Sequence, residues 1–169
     1  QLEVEFAPLA REKGLDLKFV LCSRTIRSDR RLLRRLLQNL VSNAIKYTPH
    51  GRVLVGCRLK HGKLRIDVYD TGLGIPGSKK RLIFQEFQRL DEGARVARGL
   101  GLGLSIVERI GRVLDHKVDL RSAPGRGSRF SVAVPVSSEP STQAPREPVS
   151  VDRGRLRGIA VLCVDNEPT

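Results

Sequence analysis

Apolar positions along the first 136 residues recur at two different spacings, and each spacing occupies its own segments. A spacing of three to four residues predicts amphipathic helices at residues 4–13, 30–47 and 102–114. Alternation or a β-rich composition predicts strands at residues 15–21, 52–59, 63–69, 117–122 and 129–136. A short helix is predicted at residues 79–90, with apolar Leu82, Ile83, Phe84 and Phe87. The predicted fold is α+β: a two-layer α/β sandwich with one mixed sheet of about five strands and helices on one face.

The pattern changes at the end of the last predicted strand, which divides the chain into three parts. Residues 1–136 carry every element named so far and form the predicted domain. Residues 137–155 contain Pro140, Pro145 and Pro148 among polar residues, which predicts a flexible linker. Residues 156–169 hold a continuous apolar run typical of a buried parallel strand. A single strand cannot fold alone, so this last part is interpreted as the start of a truncated second domain.

Composition excludes some functions without choosing one. No apolar run approaches the ~20 residues that span a membrane, and the first residues carry no secretion signal. Because the chain begins at Gln1 without an initiator Met, it is interpreted as part of a longer protein. Cys22, Cys57 and Cys163 form no C-x-x-C pair and lie in apolar stretches, which predicts buried, reduced thiols in a cytoplasmic protein.

The formal net charge of +13 leaves two interpretations open. A basic surface attracts polyanions such as nucleotide phosphates, nucleic acid or an acidic partner. The alternative is a solvated basic face with no partner. Nucleic acid is disfavoured because the chain, with 4% aromatic residues, lacks an interleaved aromatic platform for bases.

The helix predicted at residues 30–47 has a polar stripe in addition to its apolar face. Asn39, Asn43, Lys46 and Tyr47 are spaced so that a helix stacks them on one side. An Asn amide oxygen is a hard, uncharged Mg²⁺ ligand, a Lys one turn later can reach phosphate, and a Tyr ring can cover a base. The alternative is a set of exposed residues with no ligand.

Two glycine-rich loops add candidate chemistry. Asp70 ends a predicted strand and could accept a hydrogen bond from an exocyclic amine, while Gly72 and Gly74 would let a flat base approach the backbone. An ordinary acidic β-turn is the alternative for that loop. The second loop, residues 99–105, opens a helix with alternating glycines, so backbone N–H groups could converge on phosphate. A flexible loop is its alternative, although the intervening leucines need an apolar place to pack.

Two other nucleotide motifs do not fit these loops. The dinucleotide pattern G-x-G-x-x-G started at Gly99 needs a glycine where Leu104 stands. The P-loop pattern is nearly met by residues 72–77, but Ser78-Lys79 follows where Lys must precede the hydroxyl residue.

Four segments in this order resemble the catalytic and ATP-binding domain of histidine kinases, within the wider fold shared with gyrase-type and heat-shock chaperone ATPases. Residues 37–48 resemble the asparagine box, 70–76 the first glycine box, 83–90 the phenylalanine box and 99–104 the second glycine box. The resemblance covers roughly residues 1–136. It implies an enzyme that binds ATP with Mg²⁺ and phosphorylates a histidine.

The resemblance implies a role for each matching residue. It makes Asn43 the principal Mg²⁺ ligand and residues 89–100 a lid over ATP, in which Arg95 and Arg98 are candidate phosphate contacts. It implies the following nucleotide-binding set: Asn39, Asn43, Lys46, Tyr47, Asp70, Gly72, Gly74, Ile75, Gly99, Leu100, Gly101, Leu102, Gly103 and Leu104.

The resemblance also implies partners. His50 and His61 lie in predicted turns and His116 precedes a strand, so the phosphorylated histidine is expected outside this chain, on an upstream dimerisation domain of a homodimeric parent. The tail resembles the opening of a receiver domain, with Asp165 matching one of two usual acids and Asn166 replacing the other. The parent would be a hybrid kinase. A module that senses ATP or docks a partner without phosphotransfer is the alternative, and no catalytic base is assigned.

Overall fold

The computed structural model describes residues 1–20, 22–88 and 100–137 of the chain. Its helices are α1 (Leu2–Glu12), α2 (Arg30–Lys46) and α3 (Gly103–Val113). Its strands are β1 (Asp16–Phe19), β2 (Arg52–Lys60), β3 (Lys63–Asp70), β4 (Lys117–Ser122) and β5 (Ser128–Pro135). Apart from Ser137, the linker predicted at residues 137–155 lies outside the described residues, as does the receiver strand predicted at 156–169.

The five strands form one mixed sheet in the order β1-β2-β3-β5-β4. β1 is parallel to β2, and every other neighbouring pair is antiparallel. The prediction of a mixed five-stranded sheet in an α+β fold is therefore confirmed. β5 lies between β3 and β4, and its first residue, Ser128, pairs with the last residue of β3, Asp70.

One hydrophobic core joins the three helices to a single face of the sheet. Leu36, Leu40 and Val41 of α2 are fully buried, as are Val68 of β3 and Val132 of β5. Burying a side chain of this size stabilises the fold by about 1.5–3 kcal/mol relative to leaving it exposed. The amphipathic pattern of the sequence therefore fixes which side of each element faces the core.

Both ends of α2 are held by side chains. Asp29 caps the N-terminus, its Oδ1 accepting a hydrogen bond from the backbone N–H of Leu32 at 2.8 Å. At the other end the Lys13 ammonium donates to the carbonyls of Ile45 and Lys46, at 2.9 and 2.7 Å. A cation there satisfies carbonyls without a helical partner and complements the helix dipole. The helix that carries the asparagines is thus fixed at both ends.

The outward face of the sheet carries charge rather than apolar side chains. Asp67 is buried there, where it pairs with Arg58 Nε at 3.1 Å and Arg65 Nε at 3.0 Å and accepts a hydrogen bond from the Ser131 hydroxyl. Exposed basic residues surround this network on the same face: Arg52, Arg58, Lys60, Lys63, Lys117 and Arg121. Much of the net positive charge is therefore concentrated on one surface.

The helix predicted at residues 79–90 is wrong over the residues that are described. Two short 3-10 turns, Gly77–Lys79 and Leu82–Phe84, stand in its place. The second turn ends at Gln85, whose backbone is extended, and Phe87 has a φ of 61° and is 69% exposed. Only Ile83 is buried and Phe84 packs edge-on against Phe130, so there is too little apolar surface to hold a longer helix.

The structure also bears on the burial of the cysteines and on the presence of membrane-spanning helices. The prediction that the cysteines are buried is wrong for Cys22, which is exposed, and Cys57 is only partly buried. Cys163 lies outside the described residues. Among the residues that are described, no helix is both long and apolar enough to cross a membrane.

Candidate functional site

A cleft opens between α2, the loop after β3, the start of α3 and the start of β5. Its empty volume, including space open to solvent, is about 810 Å³. The lining residues come from all four segments and from the stretch that holds Ile83 and Gln88: Asn43, Ala44, Tyr47, Asp70, Leu73, Gly74, Ile75, Ile83, Gln88, Gly101, Gly103, Leu104, Ser128 and Phe130. Eight of these belong to the set implied from the sequence, so widely separated motifs meet in one place.

The polar stripe of α2 lies along one side of the cleft. Asn43 and Tyr47 line it directly. Asn39 lies one turn earlier and donates from Nδ2 to the carbonyl of Arg35 at 2.8 Å. A methyl group at Gly103 would lie 3.2 Å from Asn43 Nδ2 and 3.4 Å from Asn39 Oδ1. Both amides therefore face the first residue of α3, where glycine leaves them room.

Lys46 lies at the end of the same stripe, outside the set that lines the cleft. Its ammonium is 5.6 Å from the centre of the Tyr47 ring, a cation–π distance. The ammonium of Lys46 therefore lies beside the ring of a residue that lines the cleft.

Asp70 ends β3 at the floor of the cleft. Its Oδ1 accepts hydrogen bonds from the backbone N–H groups of Gly72 and Ser128, at 2.9 and 3.1 Å. Burial raises the pKa of Asp70 above its ordinary value of 3.8, and the hydrogen bonds from Gly72 and Ser128 oppose that rise. The carboxyl group is thus oriented by the backbone in a place that disfavours its charge.

Gly72 and Gly74 allow close packing of the loop against its own neighbours. A Cβ at Gly72 would lie 2.2 Å from the Tyr47 carbonyl oxygen, and one at Gly74 would lie 1.9 Å from that of Ala123. Gly74 also has a φ of 71°, a conformation that glycine adopts without strain. These contacts press the loop between the end of α2 and the β4–β5 turn. Gly74 and Ile75 line the cleft, while Gly72 lies behind them.

The second glycine loop reaches the cleft from the opposite side. Gly101, Gly103 and Leu104 line it, whereas Leu102 does not and Leu100 is 75% exposed. Gly101 has a φ of 73°, and a Cβ there would lie 3.0 Å from the Gln88 carbonyl oxygen. Gly99, Arg95, Arg98 and the remaining lid residues predicted before Leu100 lie outside the described residues.

Six lining residues were not assigned to the site from the sequence: Ala44, Leu73, Ile83, Gln88, Ser128 and Phe130. Ser128 and Phe130 enter because β5 pairs with β3, which local patterns do not reveal. Ile83 and Gln88 belong to the segment that resembles the phenylalanine box, but neither was assigned a contact with the nucleotide. Ala44 and Leu73 adjoin predicted site residues, so adjacency was the available signal.

The cleft combines an apolar wall, one carboxyl group and a mouth rich in amides. Ile75, Ile83 and Phe130 supply the wall, and Asp70 supplies a hydrogen-bond acceptor beside it. At the mouth, the Asn39 and Asn43 oxygens are the ligand type that Mg²⁺ accepts, and the first turn of α3 presents its N-terminus. Within the described residues, no group of three or more His, Cys, Asp or Glu side chains could hold a metal. Together these groups fit a planar heterocycle that carries an amine. They also fit a chain of phosphates with its cation.

Comparison with protein families gives a match over the same region. The family described as "Histidine kinase-, DNA gyrase B-, and HSP90-like ATPase" matches residues 28–138. "Sensor histidine kinase AtsR" of Burkholderia thailandensis is 36% identical over 149 residues, covering 84% of this chain and 25% of that protein. "Autoinducer 2 sensor kinase/phosphatase LuxQ" of Vibrio vulnificus is 32% identical, covering 99% of this chain and 21% of that protein. The chain spans a quarter or less of these relatives.

Solved structures agree with the fold. A structure titled "Crystal structure of ShkA full-length in complex with AMPPNP" superposes with a TM-score of 0.73 at 31% identity, covering 82% of this chain and 29% of that chain. The catalytic domain of histidine kinase ThkA, in a nucleotide-free form, superposes with a TM-score of 0.67 at 28% identity, covering 79% of this chain and 88% of that chain. In ThkA, the part that corresponds to this chain was therefore crystallised as a separate domain.

Proposed function

We propose, from the premise that this chain belongs to the family of histidine kinase-, DNA gyrase B- and HSP90-like ATPases, that its cleft binds Mg-ATP and delivers the γ-phosphoryl group to a histidine outside the chain. The observation that carries the proposal is convergence. Asn43, Asp70 and Gly103 are far apart in sequence and line one cleft. Relatives described as sensor histidine kinases support the reaction.

The purine end of the nucleotide would lie against Asp70. Its carboxyl group is positioned by two backbone N–H groups and can accept a hydrogen bond from an exocyclic amine. Ile75, Phe130 and the ring of Tyr47 would cover the faces of the base. A guanine presents a carbonyl oxygen where adenine has its amine, so the same carboxyl group would disfavour GTP.

The phosphate end would lie between α2 and α3. Asn43 would ligate Mg²⁺ through its amide oxygen, Asn39 would lie near the phosphates, and Lys46 would reach a phosphate oxygen. The glycines of the second loop would leave backbone N–H groups open to the triphosphate at the N-terminus of α3. Mg²⁺ would neutralise charge on the phosphate oxygens. The side chains and backbone N–H groups named above would align the triphosphate for transfer.

The remaining partners are inferred from the family and from the fact that this chain covers only part of the length of its relatives. We infer an upstream helical dimerisation domain that carries the acceptor histidine, and a receiver domain after residue 155. The homodimeric state of the parent and its cytoplasmic location stay predictions.

Nucleotide affinity tests the cleft directly. In calorimetric titrations, Asn43→Ala and Asp70→Ala should each raise the Kd for Mg-ATP at least about tenfold, because each removes a strong polar contact of about 1.5–3 kcal/mol. Asn43→Ala should lose affinity only when Mg²⁺ is present. Asp70→Ala should lose affinity with and without Mg²⁺, and should narrow the preference for ATP over GTP.

Matched controls exist on the same helix and on the same sheet. Ser42→Ala changes the exposed neighbour of Asn43, and Asp119→Ala removes a carboxylate that pairs with Lys117 and Arg65 away from the cleft. Both should bind Mg-ATP like the unchanged chain. Unaltered affinity in Asn43→Ala and Asp70→Ala would refute the proposed site.

Phosphotransfer is tested separately. Incubation of the chain with γ-labelled ATP and the parent's upstream helical domain should place acid-labile label on a histidine of that domain. Tight Mg-ATP binding without any transfer would instead support the ATP-sensing alternative.

A further inference from the structure

Ser122 is the last residue of β4 and lies one strand behind the floor of the cleft. The β4–β5 register sets Ser122 opposite Ser128, and the β3–β5 register sets Ser128 opposite Asp70. Residues directly opposite one another in a sheet have Cβ atoms about 4.5–5.5 Å apart on the same face. Ser128 and Asp70 line the cleft, whereas Ser122 does not. Ser122 therefore stands behind two residues of the site.

The Ser122 hydroxyl has three polar neighbours. Its oxygen accepts a hydrogen bond from the backbone N–H of Ile75 at 2.8 Å, and its proton goes to the Gly127 carbonyl at 2.9 Å. The Ser128 hydroxyl oxygen lies 3.0 Å away. A hydroxyl group has one proton and two lone pairs, so Ser128 can donate to the lone pair that Ile75 leaves open. Every hydrogen-bonding position of Ser122 is then used inside the fold.

One of these bonds controls the peptide group that holds Asp70. The carbonyl of Gly127 and the N–H of Ser128 belong to the same peptide unit, which is planar. Ser122 binds its carbonyl end, and its N–H end donates to Asp70 Oδ1 at 3.1 Å. Rotation of this unit would break both bonds together. Ser122 therefore fixes the orientation of a donor that positions the carboxyl group.

The bonds form one head-to-tail chain across the floor of the cleft. It runs from the Ile75 N–H through the Ser122 hydroxyl and the Gly127–Ser128 peptide unit to the Asp70 carboxyl group. Bonds aligned in this way polarise and strengthen one another. Ile75 belongs to the apolar wall and Asp70 to the floor. Ser122 thus connects the two parts of the cleft that would meet the base.

We propose that Ser122 is a positioning residue for recognition of the base, acting through Ile75 and Asp70 without touching the nucleotide. The inference rests on the proposed function, in which Asp70 accepts a hydrogen bond from the exocyclic amine and Ile75 covers the base. Among the described residues, the hydrogen bonds of Ser122 reach neither α2 nor α3, the elements that would hold the phosphates and Mg²⁺. Its effect is confined to the base end of the site.

Calorimetric titration of the full chain with ATP and GTP tests this role. Ser122→Ala should raise the Kd for Mg-ATP about threefold to tenfold, the usual effect of losing one neutral hydrogen bond. It should narrow the preference for ATP over GTP, because Asp70 and Ile75 are no longer held in place. The factor by which Mg²⁺ tightens ATP binding should stay unchanged. A general loss of folded protein would weaken ATP and GTP binding equally and leave their ratio intact.

Two further variants separate positioning from stability. Ser122→Thr keeps the hydroxyl group on a residue that suits a strand, so it should restore the preference for ATP. Ser131→Ala is the matched control, since the Ser131 hydroxyl is also held within the sheet but donates to Asp67 on the outward face. This control should lower the melting temperature and leave the ratio of ATP to GTP affinity as it is in the unchanged chain.

Amide hydrogen exchange tests the hydrogen-bond chain without any nucleotide. In Ser122→Ala the Ile75 N–H loses its acceptor and should exchange at least about threefold faster, as measured by NMR. The Leu73 N–H provides an internal reference in the same loop, because it donates to the Tyr47 carbonyl at 3.2 Å and does not depend on Ser122. Its exchange rate should stay the same.

The role of Ser122 and the proposed function fail on different results. An unchanged chain that binds ATP and GTP equally well would overturn base recognition by Asp70, and the role of Ser122 with it. A clear ATP preference that persists in full in Ser122→Ala would overturn only the role of Ser122. Equal exchange of the Ile75 amide in the two proteins would do the same, as would a failure of Ser122→Thr to restore the preference.

Discussion

At Asp70, a side chain best solvated as an anion is held at the floor of a largely apolar cleft. Burial raises the pKa of Asp70, and a group whose pKa is raised in the folded state favours folding in its protonated form. That contribution is complete below the unfolded value near 3.8 and is lost as the pH rises through the folded value. At neutral pH, ionised Asp70 therefore lowers the stability of the fold, which is a common property of binding-site residues.

Asp70→Asn should consequently be at least as stable as the unchanged chain at pH 7, because an amide can accept the same backbone hydrogen bonds without a buried charge. The difference in melting temperature should shrink as the pH falls below 3.8, where the carboxyl group becomes protonated in both states. Thermal unfolding of both proteins across this pH range measures it. A melting temperature for Asp70→Asn that is clearly lower at pH 7 would contradict this reading of Asp70.

At the scale of elements, the loop after β3 is positioned by contacts that its glycines permit. It lies between the Tyr47 carbonyl at the end of α2 and the Ala123 carbonyl of the β4–β5 turn. The backbone N–H of Ile75 donates to the Ser122 hydroxyl at 2.8 Å, and that of Gly125 donates to the Leu73 carbonyl at 2.8 Å. The loop is therefore joined to both layers of the fold.

Gly74→Ala should destabilise the fold and weaken nucleotide binding. The left-handed backbone alone costs about 1–3 kcal/mol, and a Cβ 1.9 Å from the Ala123 carbonyl oxygen must displace the β4–β5 turn. Gly77→Ala is the matched control, since a Cβ there meets nothing within 4 Å. Chemical denaturation and ATP titration of the two variants measure the free energy of unfolding and the affinity for ATP. Equal losses in the two variants would show that the packing at Gly74 is unimportant.

For the whole molecule, the distribution of charge is as informative as its sum. The net charge is +13, and exposed basic residues gather on the outward face of the sheet. Lys60 and Lys63 are direct partners across the β2–β3 hairpin, where like charges repel. Such self-repulsion lowers the stability of a compact state.

Raising the salt concentration from about 10 mM to about 100 mM shortens the Debye length from about 30 Å to about 10 Å and should raise the melting temperature by a few degrees. Lys63→Glu should stabilise the fold by about 0.2–1 kcal/mol at low salt by turning the Lys60 repulsion into attraction, and should show a smaller salt effect. Scanning calorimetry at both salt concentrations provides the measurement. A melting temperature that falls with added salt in both proteins would argue against repulsion.

The sequence by itself determined the helices and strands whose apolar spacing is regular, because that spacing follows directly from the period of each element. α2, the β2–β3 hairpin and the mixed sheet agree with prediction for this reason. The stripe that places Asn43 and Tyr47 on one side of α2 is likewise local geometry.

Only the tertiary structure decided which strand lies beside β3, and so which residues complete the cleft. The pairing of Asp70 with Ser128 depends on β5 entering between β3 and β4, a long-range choice that no local pattern encodes. The predicted helix at residues 79–90 is wrong for a related reason: the available core accepts Ile83 and Phe84 but offers no surface for a third turn.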